Sequence, residues 1–117
     1  MTVTLYGITT CDTVRKARAW LDGQGIAYRF HDFRVDGLDA RRVGGWFDAL
    51  GWEALLNRAG TSFRNLPEAE RADLDRGKAE RLILANPTLV KRPVLEAAGT
   101  VMVGFKPDLY AQALSRR

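Results

Sequence analysis

The sequence predicts an α/β fold in which helices flank a mixed sheet, and three observations support this prediction. A short apolar stretch at residues 3–6 precedes a stretch with helical spacing, which is followed by alternating residues at 26–31. Near the C-terminus, two β-branched stretches flank a turn that contains glycine. A strand–helix–strand unit of this length is expected to be parallel and right-handed.

The first strand is expected at residues 3–6, where β-branched and aromatic side chains favour extended backbone. The helix after it is expected to begin at Asp12 and to be stopped by Gly23 and Gly25. Its apolar residues recur at helical spacing, which predicts a buried face: Val14, Ala17, Trp20 and Leu21.

The next elements are a strand at residues 26–31, a turn at 32–37 and a helix. Asp39 is expected to cap that helix, which Gly51 ends, although Gly44 and Gly45 lower its helix propensity. Its apolar side chains have helical spacing: Val43, Trp46, Phe47 and Leu50. We expect the three tryptophans, Trp20, Trp46 and Trp52, to pack in the core.

The middle of the chain predicts short helical elements. We expect a helical turn at residues 52–56, loops at 58–61 and 61–64, and a helix from Pro67 to about Arg76. A further helix at 78–85 is stopped by Asn86 and Pro87, and Pro87 opens a short turn.

The C-terminal part predicts a hairpin with strands at 94–96 and 101–103, a loop at 104–106 and a last helix from Pro107. Leu109, Ala113 and Leu114 are expected to face inward. This order of elements is that of a thioredoxin-like fold, and periodicity alone leaves other α/β arrangements open. The length of 117 residues predicts a single domain spanning 1–117.

Composition narrows the class of protein. One cysteine cannot form an internal disulfide, and no apolar run reaches the length of a membrane span. No leader with a basic start and an apolar centre is visible, so we expect a cytoplasmic protein. The net charge of +4 is modest and suits an anionic small molecule as well as nucleic acid. Because the basic residues are scattered rather than clustered, we do not expect nucleic-acid binding.

Cys11 lies between the first strand and the first helix. The free amides and the dipole of a helix N-terminus stabilise an anion, and such a position lowers the pKa of a cysteine. Arg15 and Lys16 add positive charge, and the hydroxyls of Thr10 and Thr13 are possible hydrogen-bond donors. The Asp12 carboxylate opposes a thiolate unless it points to solvent or caps the helix.

Several segments resemble the arsenate-reductase-like (ArsC/Spx) family. The segment from Tyr6 to Ala17, YGITTCDTVRKA, is similar to its active-site segment, and Lys91-Arg92-Pro93-Val94 is similar to its Arg-Pro signature. Gly104-Phe105 resembles a third signature. The segments at 28–38, 51–57 and 60–64 resemble the YffB-like branch. The match covers almost the whole chain in order.

The resemblance implies a thioredoxin-like fold with a central mixed four-stranded sheet flanked by helices and with a helical insertion. It also implies that Cys11 is a nucleophile, that Arg92 lies beside it and holds an anion, and that the peptide before Pro93 is cis. Of the three arginines that arsenate reductases of this type use, only Arg92 has a clear counterpart. Asn57 and Lys106 stand near the other two positions.

For the YffB-like branch, the resemblance implies a glutathione-dependent thiol reductase that works by monothiol exchange. Glutathione is then a cosubstrate, no cofactor is tightly bound, and glutaredoxin or an oxidised small molecule or protein is a further partner. The candidate contacts to glutathione are Thr10, Asp12, Thr13, Arg15, Lys91 and Pro93. We expect a monomer with no metal site and no membrane contact.

Two alternatives stay open. An Spx-like regulator would bind a protein partner, RNA polymerase, with its surface, although Val14 stands where a Cys-x-x-Cys switch needs its second cysteine. An arsenate reductase coupled to glutathione or glutaredoxin is the other alternative. The single histidine, His31, is expected to have a structural or surface role.

Overall fold

The computed structural model describes residues 2–114, which divide into two compact units. The first unit comprises residues 2–36 and 92–114, and the second comprises residues 37–91. The whole sheet lies in the first unit, and the second is a helical insertion between the second and third strands.

The sheet has four strands: β1 (Val3–Gly7), β2 (Arg29–Asp32), β3 (Val94–Ala97) and β4 (Thr100–Val103). Their order is β2-β1-β3-β4, with β1 parallel to β2 and antiparallel to β3, and β3 antiparallel to β4. The predicted thioredoxin-like α/β fold with a mixed four-stranded sheet is confirmed.

The helices follow in chain order: α1 (Asp12–Gly23), α2 (Phe33–Asp36), α3 (Ala40–Leu50), α4 (Trp52–Leu55), α5 (Thr61–Arg64), α6 (Glu68–Arg71), α7 (Arg76–Ala85) and α8 (Pro107–Leu114). A 3₁₀ turn, Pro87–Leu89, follows α7 where the sequence predicts a short turn. Of residues 2–114, none belong to a helix with both the length and the apolar character that a membrane crossing needs.

The second strand is shorter than the sequence predicts. It begins at Arg29 rather than Ile26, because the Ile26 amide donates to the Leu21 carbonyl at 3.0 Å and so still belongs to the turn that ends α1. Pairing with β1 starts only where Arg29 lies opposite Thr4. The expected turn after this strand contains the single helical turn α2.

One face of the sheet packs against α1 and α8, and its core residues are Val3, Leu5, Ala17, Leu21, Leu95, Ala97, Tyr110 and Leu114. The inward face of α8 differs from the prediction. Leu109 is exposed, at 46%, and Tyr110 is buried in its place, because Tyr110 and Leu114 are four residues apart and share one face. Ala113 is half-buried.

Two helices of the second unit begin at aspartate caps. Asp39 accepts a hydrogen bond from the Arg42 amide at 2.9 Å, which confirms the predicted cap of α3. Asp75 accepts from the Lys78 amide at 2.8 Å, so α7 begins at Arg76, two residues before the predicted start. Trp46 of α3 is buried as predicted, whereas Trp20 and Trp52 are half-buried.

Two predictions for the middle of the chain are wrong. The helix expected from Pro67 to about Arg76 is the single turn α6, because Ala72 is extended and Asp73 has a left-handed φ of 52°. The loop expected at 61–64 is the helical turn α5, whose Phe63 is buried.

Candidate active site

The site is built at the C-terminal end of β1. The chain leaves the strand at Gly7, buries Ile8, exposes two threonines and reaches Cys11, which is the N-cap residue of α1 with φ −87° and ψ 125°. The Cys11 amide donates to the Ile8 carbonyl at 3.3 Å, and the Cys11 carbonyl accepts from the Arg15 amide at 3.0 Å. The thiol therefore occupies the position from which a capping side chain reaches the free amides of the helix.

Gly7 brings the strand and the helix close together just before the thiol. A Cβ atom on Gly7 would lie 2.6 Å from Cγ2 of Val14, a distance that no methyl group tolerates. Val14 is fully buried and is the third residue of α1. The absence of a side chain at position 7 thus sets where the first turn of α1 lies relative to β1.

The pKa of Cys11 results from opposing effects. Partial burial of the thiol raises it, but the Val14 amide, the Arg92 guanidinium and the Thr13 amide together outweigh burial and lower the pKa below its usual value. The thiol makes no complete cap hydrogen bond, so these amides act mainly by stabilising the charged form. The arrangement yields a half-buried free thiol with an increased thiolate fraction.

Arg92 acts on the thiolate both as a hydrogen-bond donor and as a positive charge. It precedes β3, and the peptide bond between Arg92 and Pro93 is cis, as the family resemblance implies. Since Val94 pairs with Val103, the residues one step further out, Pro93 and Gly104, also lie opposite each other. The Gly104 amide donates to the Pro93 carbonyl at 2.8 Å.

The Asp12 carboxylate is paired with a neighbouring arginine and is not among the groups that act on the Cys11 thiolate. This carboxylate is largely exposed and forms an ion pair with Arg15, whose guanidinium also donates to the Thr9 carbonyl at 3.3 Å. The positive charge of Arg15 is therefore shared with Asp12, and the groups that lower the pKa of Cys11 are Arg92 and two backbone amides.

The other predicted site residues fall into two groups. Thr10, Thr13 and Lys16 are exposed around the first turn of α1, and Thr13 acts on the thiol through its amide. Lys91 is the last residue of the second unit, is exposed and donates its amide to the Leu55 carbonyl at 2.8 Å. The contacts of all these residues to glutathione stay predictions.

His31 has the structural position that the sequence predicts. It lies in β2 opposite Tyr6, and the two rings are 4.8 Å apart, centroid to centroid. The Phe33 ring also packs against the imidazole, in an edge-on arrangement with centroids 6.4 Å apart.

Sequence reasoning missed the amide of Val14 and the steric role of Gly7. The first could have been found by counting, because the N-cap side chain of a helix reaches the amide three residues on. The steric role of Gly7 depends on how closely β1 and α1 pack, and the sequence alone does not specify that distance.

The comparisons with known proteins cover nearly the whole chain. The model of the ArsC family matches residues 6–113. The chain belongs to the ArsC family. Among solved structures, the YFFB (PA3664) protein is 55% identical with a TM-score of 0.94, over 97% of this chain and 99% of that one. An ArsC-related protein from Brucella melitensis is 54% identical with a TM-score of 0.78, over 96% and 93%.

Relatives known from sequence divide between proteins without an assigned role and regulators. An uncharacterised protein of Haemophilus influenzae is 40% identical over 113 residues, which cover 97% of this chain and 99% of the relative. The global transcriptional regulator Spx of Listeria monocytogenes is 28% identical over 120 residues, covering 98% and 88%. This ArsC-family chain thus has arsenate-reductase-related and Spx relatives, and its likeness to both extends along its length.

Proposed function

We propose that this ArsC-family protein is a thiol–disulfide oxidoreductase that uses Cys11 in monothiol exchange with glutathione as cosubstrate. The observation that carries the proposal is the position of Cys11 at the N-cap of α1, where the Val14 amide and Arg92 lower the pKa of its thiol. A thiolate is the attacking species in disulfide exchange, so these groups favour the first chemical step.

The single cysteine determines the form of the mechanism. The Cys11 thiolate attacks the glutathione sulfur of a mixed disulfide, forms a protein–glutathione disulfide and releases the substrate as a thiolate that takes a proton from water. A glutathione thiolate then attacks this adduct, which restores the Cys11 thiolate and yields oxidised glutathione. With one cysteine in the chain, the second thiol has to come from outside.

Arg92 contributes to both half-reactions in this proposal. Its guanidinium stabilises the Cys11 thiolate before attack and again when that thiolate is the leaving group. Glutathione carries a net negative charge, and the overall charge of +4 on the chain favours its approach.

The first test is intact mass after brief exposure to oxidised glutathione across a range of pH, with Cys11→Ser as the control. We expect one glutathione to add to the wild type, with an apparent pKa below the usual value of about 8.5, and none to add to Cys11→Ser. Reduced glutathione should remove the adduct rapidly. An absent adduct, or an ordinary pKa, would contradict the proposal.

Steady-state turnover provides the second test. Reduction of a mixed disulfide of glutathione, coupled to NADPH through glutathione reductase, should require Cys11 and be slowed by Arg92→Gln. Arg29→Gln also removes one positive charge, but from β2, and is the matched control. We expect its turnover to equal that of the wild type.

A protein-binding regulator is the second candidate, because Spx is similar over nearly the whole chain. Cys11→Ser separates the two candidates, since it should abolish reductase turnover but leave binding of a protein partner intact.

Arsenate reduction is less well supported. Asn57, which stands at the position of an expected arginine, accepts a hydrogen bond from the Ala59 amide at 3.3 Å and so stabilises its own turn. Arg58, its neighbour, lies 6.0 Å from the centroid of the Trp52 ring. Arsenate-dependent oxidation of glutathione by the purified protein would favour this function over the others.

A further inference from the structure

A buried hydroxyl group is connected to the Arg92–Pro93 loop by two consecutive hydrogen bonds. The Tyr110 hydroxyl donates to the Gly104 carbonyl at 2.7 Å, and the Gly104 amide donates to the Pro93 carbonyl at 2.8 Å. The residue before Pro93 is Arg92, whose side chain acts on the Cys11 thiolate. All of these residues lie in the first unit.

Gly104 is suited to join the two hydrogen bonds. Its φ of 87° lies in the left-handed region, which glycine adopts without steric cost. In this conformation its amide reaches Pro93 while its carbonyl accepts from Tyr110. A hydroxyl group in α8 thus fixes the backbone immediately beside Arg92.

The ring of Tyr110 is itself held in place. Phe105 packs edge-on against it with centroids 4.9 Å apart, and Trp20 does so at 6.0 Å. Tyr110 is 1% exposed, and burial raises the pKa of its hydroxyl well above the usual range, so the group keeps its proton across the pH range in which a cysteine thiol titrates.

We propose that Tyr110 is a positioning residue, whose hydroxyl holds the Arg92 guanidinium against Cys11 through the backbone of Gly104 and Pro93. The proposal takes from the proposed function only that Cys11 is the reacting group. Tyr110 touches neither the thiol nor a substrate in this role, and it acts by limiting the positions that Arg92 can adopt.

The test is the pH dependence of alkylation of Cys11 by iodoacetamide, which reports the thiolate fraction without glutathione. Tyr110→Phe removes the hydroxyl and keeps the ring. We expect the pKa of Cys11 to rise by about half a unit, which lowers the thiolate fraction about threefold at pH values below the pKa. A folded Tyr110→Phe variant with the wild-type pKa would overturn the proposal.

Tyr28→Phe is the matched control. The Tyr28 hydroxyl accepts a hydrogen bond from Arg18 Nε at 3.1 Å, so this variant also loses a partly buried hydrogen bond of a tyrosine in the first unit. It lies outside the chain of bonds that leads to Pro93, and we expect the pKa of Cys11 to stay unchanged. An equal rise in both tyrosine variants would also overturn the proposal, because it would indicate a general loss of rigidity.

A double-mutant cycle tests whether Tyr110 affects the pKa of Cys11 through Arg92 or through α1. Trp20 belongs to α1, so the Tyr110 ring also contacts the helix that Cys11 caps. If the hydroxyl acts through Arg92, Tyr110→Phe should not change the pKa further in an Arg92→Gln background. A full additional rise in that background would mean that Arg92 does not carry the effect.

A measurement on the wild type replaces the variant if Tyr110→Phe fails to fold. The amide resonance of Gly104 should titrate with the pKa of Cys11, whereas that of Gly99, in the turn at the other end of the hairpin, should not. A flat Gly104 titration would overturn the proposal. The alkylation and amide-titration experiments do not use glutathione. They therefore test the role of Tyr110 even if the protein does not react with glutathione, and a negative result in them does not affect the glutathione assays.

Discussion

Gly7 and Val14 pack so closely at the end of β1 that a Cβ on Gly7 would lie 2.6 Å from Val14 Cγ2. Val14 carries the amide that is the first of the groups lowering the pKa of Cys11. The same contact therefore packs the core and sets the position of a group that stabilises the thiolate. A change in packing at this point should change both stability and reactivity.

Gly7→Ala should show this coupling. The added methyl group overpacks a buried contact, and we expect a loss of about 1–3 kcal/mol in the free energy of unfolding. The first turn of α1 should also move away from β1 and raise the pKa of Cys11. Urea denaturation measures the first effect, and the pH dependence of alkylation measures the second.

Val14→Ala provides the control for that prediction. Alone it should destabilise the protein by leaving a small cavity, but in the Gly7→Ala background it makes room for the new methyl group. We expect the double variant to be more stable than the sum of the two single changes indicates. Strict additivity would show that the two side chains do not compete for the same space.

Arg92→Gln should raise the pKa of Cys11, because the thiolate loses both a donor and a positive charge. Arg29→Gln changes the net charge equally from an exposed position in β2 and should leave that pKa unchanged at moderate ionic strength. Alkylation rates as a function of pH compare the two variants. Equal shifts would attribute the effect to net charge and not to the position of Arg92.

Ala98→Asn should stabilise the protein by about 0.5–1 kcal/mol. Ala98 and Gly99 join β3 to β4 with φ values of 50° and 81°, and asparagine adopts this left-handed backbone at a lower cost than alanine. Urea denaturation measures the gain. Ala111→Asn is the control in the exposed middle of α8, where asparagine should destabilise the helix; a gain at both positions would contradict the argument from the turn.

The sequence was most informative where one local rule decides the structure. Asp39 before an apolar repeat predicts the start of α3, and β-branched residues around Gly99 predict the hairpin. The prediction was wrong at residues 61–64 and 67–76. The first segment is a helical turn that buries one side chain, Phe63, and the second is a helical turn that ends before extended Ala72 and left-handed Asp73.

The candidate site was partly predictable for the same reason. The position of Cys11 at the start of a helix follows from local pattern, and the place of Arg92 beside it follows from the family resemblance. The close approach of Gly7 to Val14 and the bond from Tyr110 to Gly104 join residues in different elements. Such contacts are set by tertiary packing, which one sequence does not specify.

The lowered pKa of Cys11 should make stability depend on pH in a defined direction. The folded-state pKa lies below the unfolded value of about 8.5, so between these two values the unfolded chain binds the additional proton. Stability from this thiol is then complete above the unfolded pKa and is lost as the pH falls through the folded pKa. The free energy of unfolding of the wild type minus that of Cys11→Ser should therefore rise with pH across this window and be constant outside it.

Urea denaturation from about pH 6 to about pH 9, with a phosphine reductant to prevent disulfide dimers, measures this difference. Serine is itself a good N-cap and shifts the difference by a constant, so only the slope is diagnostic. In an Arg92→Gln background the window should narrow, because the folded-state pKa lies closer to the unfolded one. Parallel pH profiles for wild type and Cys11→Ser would mean that the folded protein does not stabilise the thiolate.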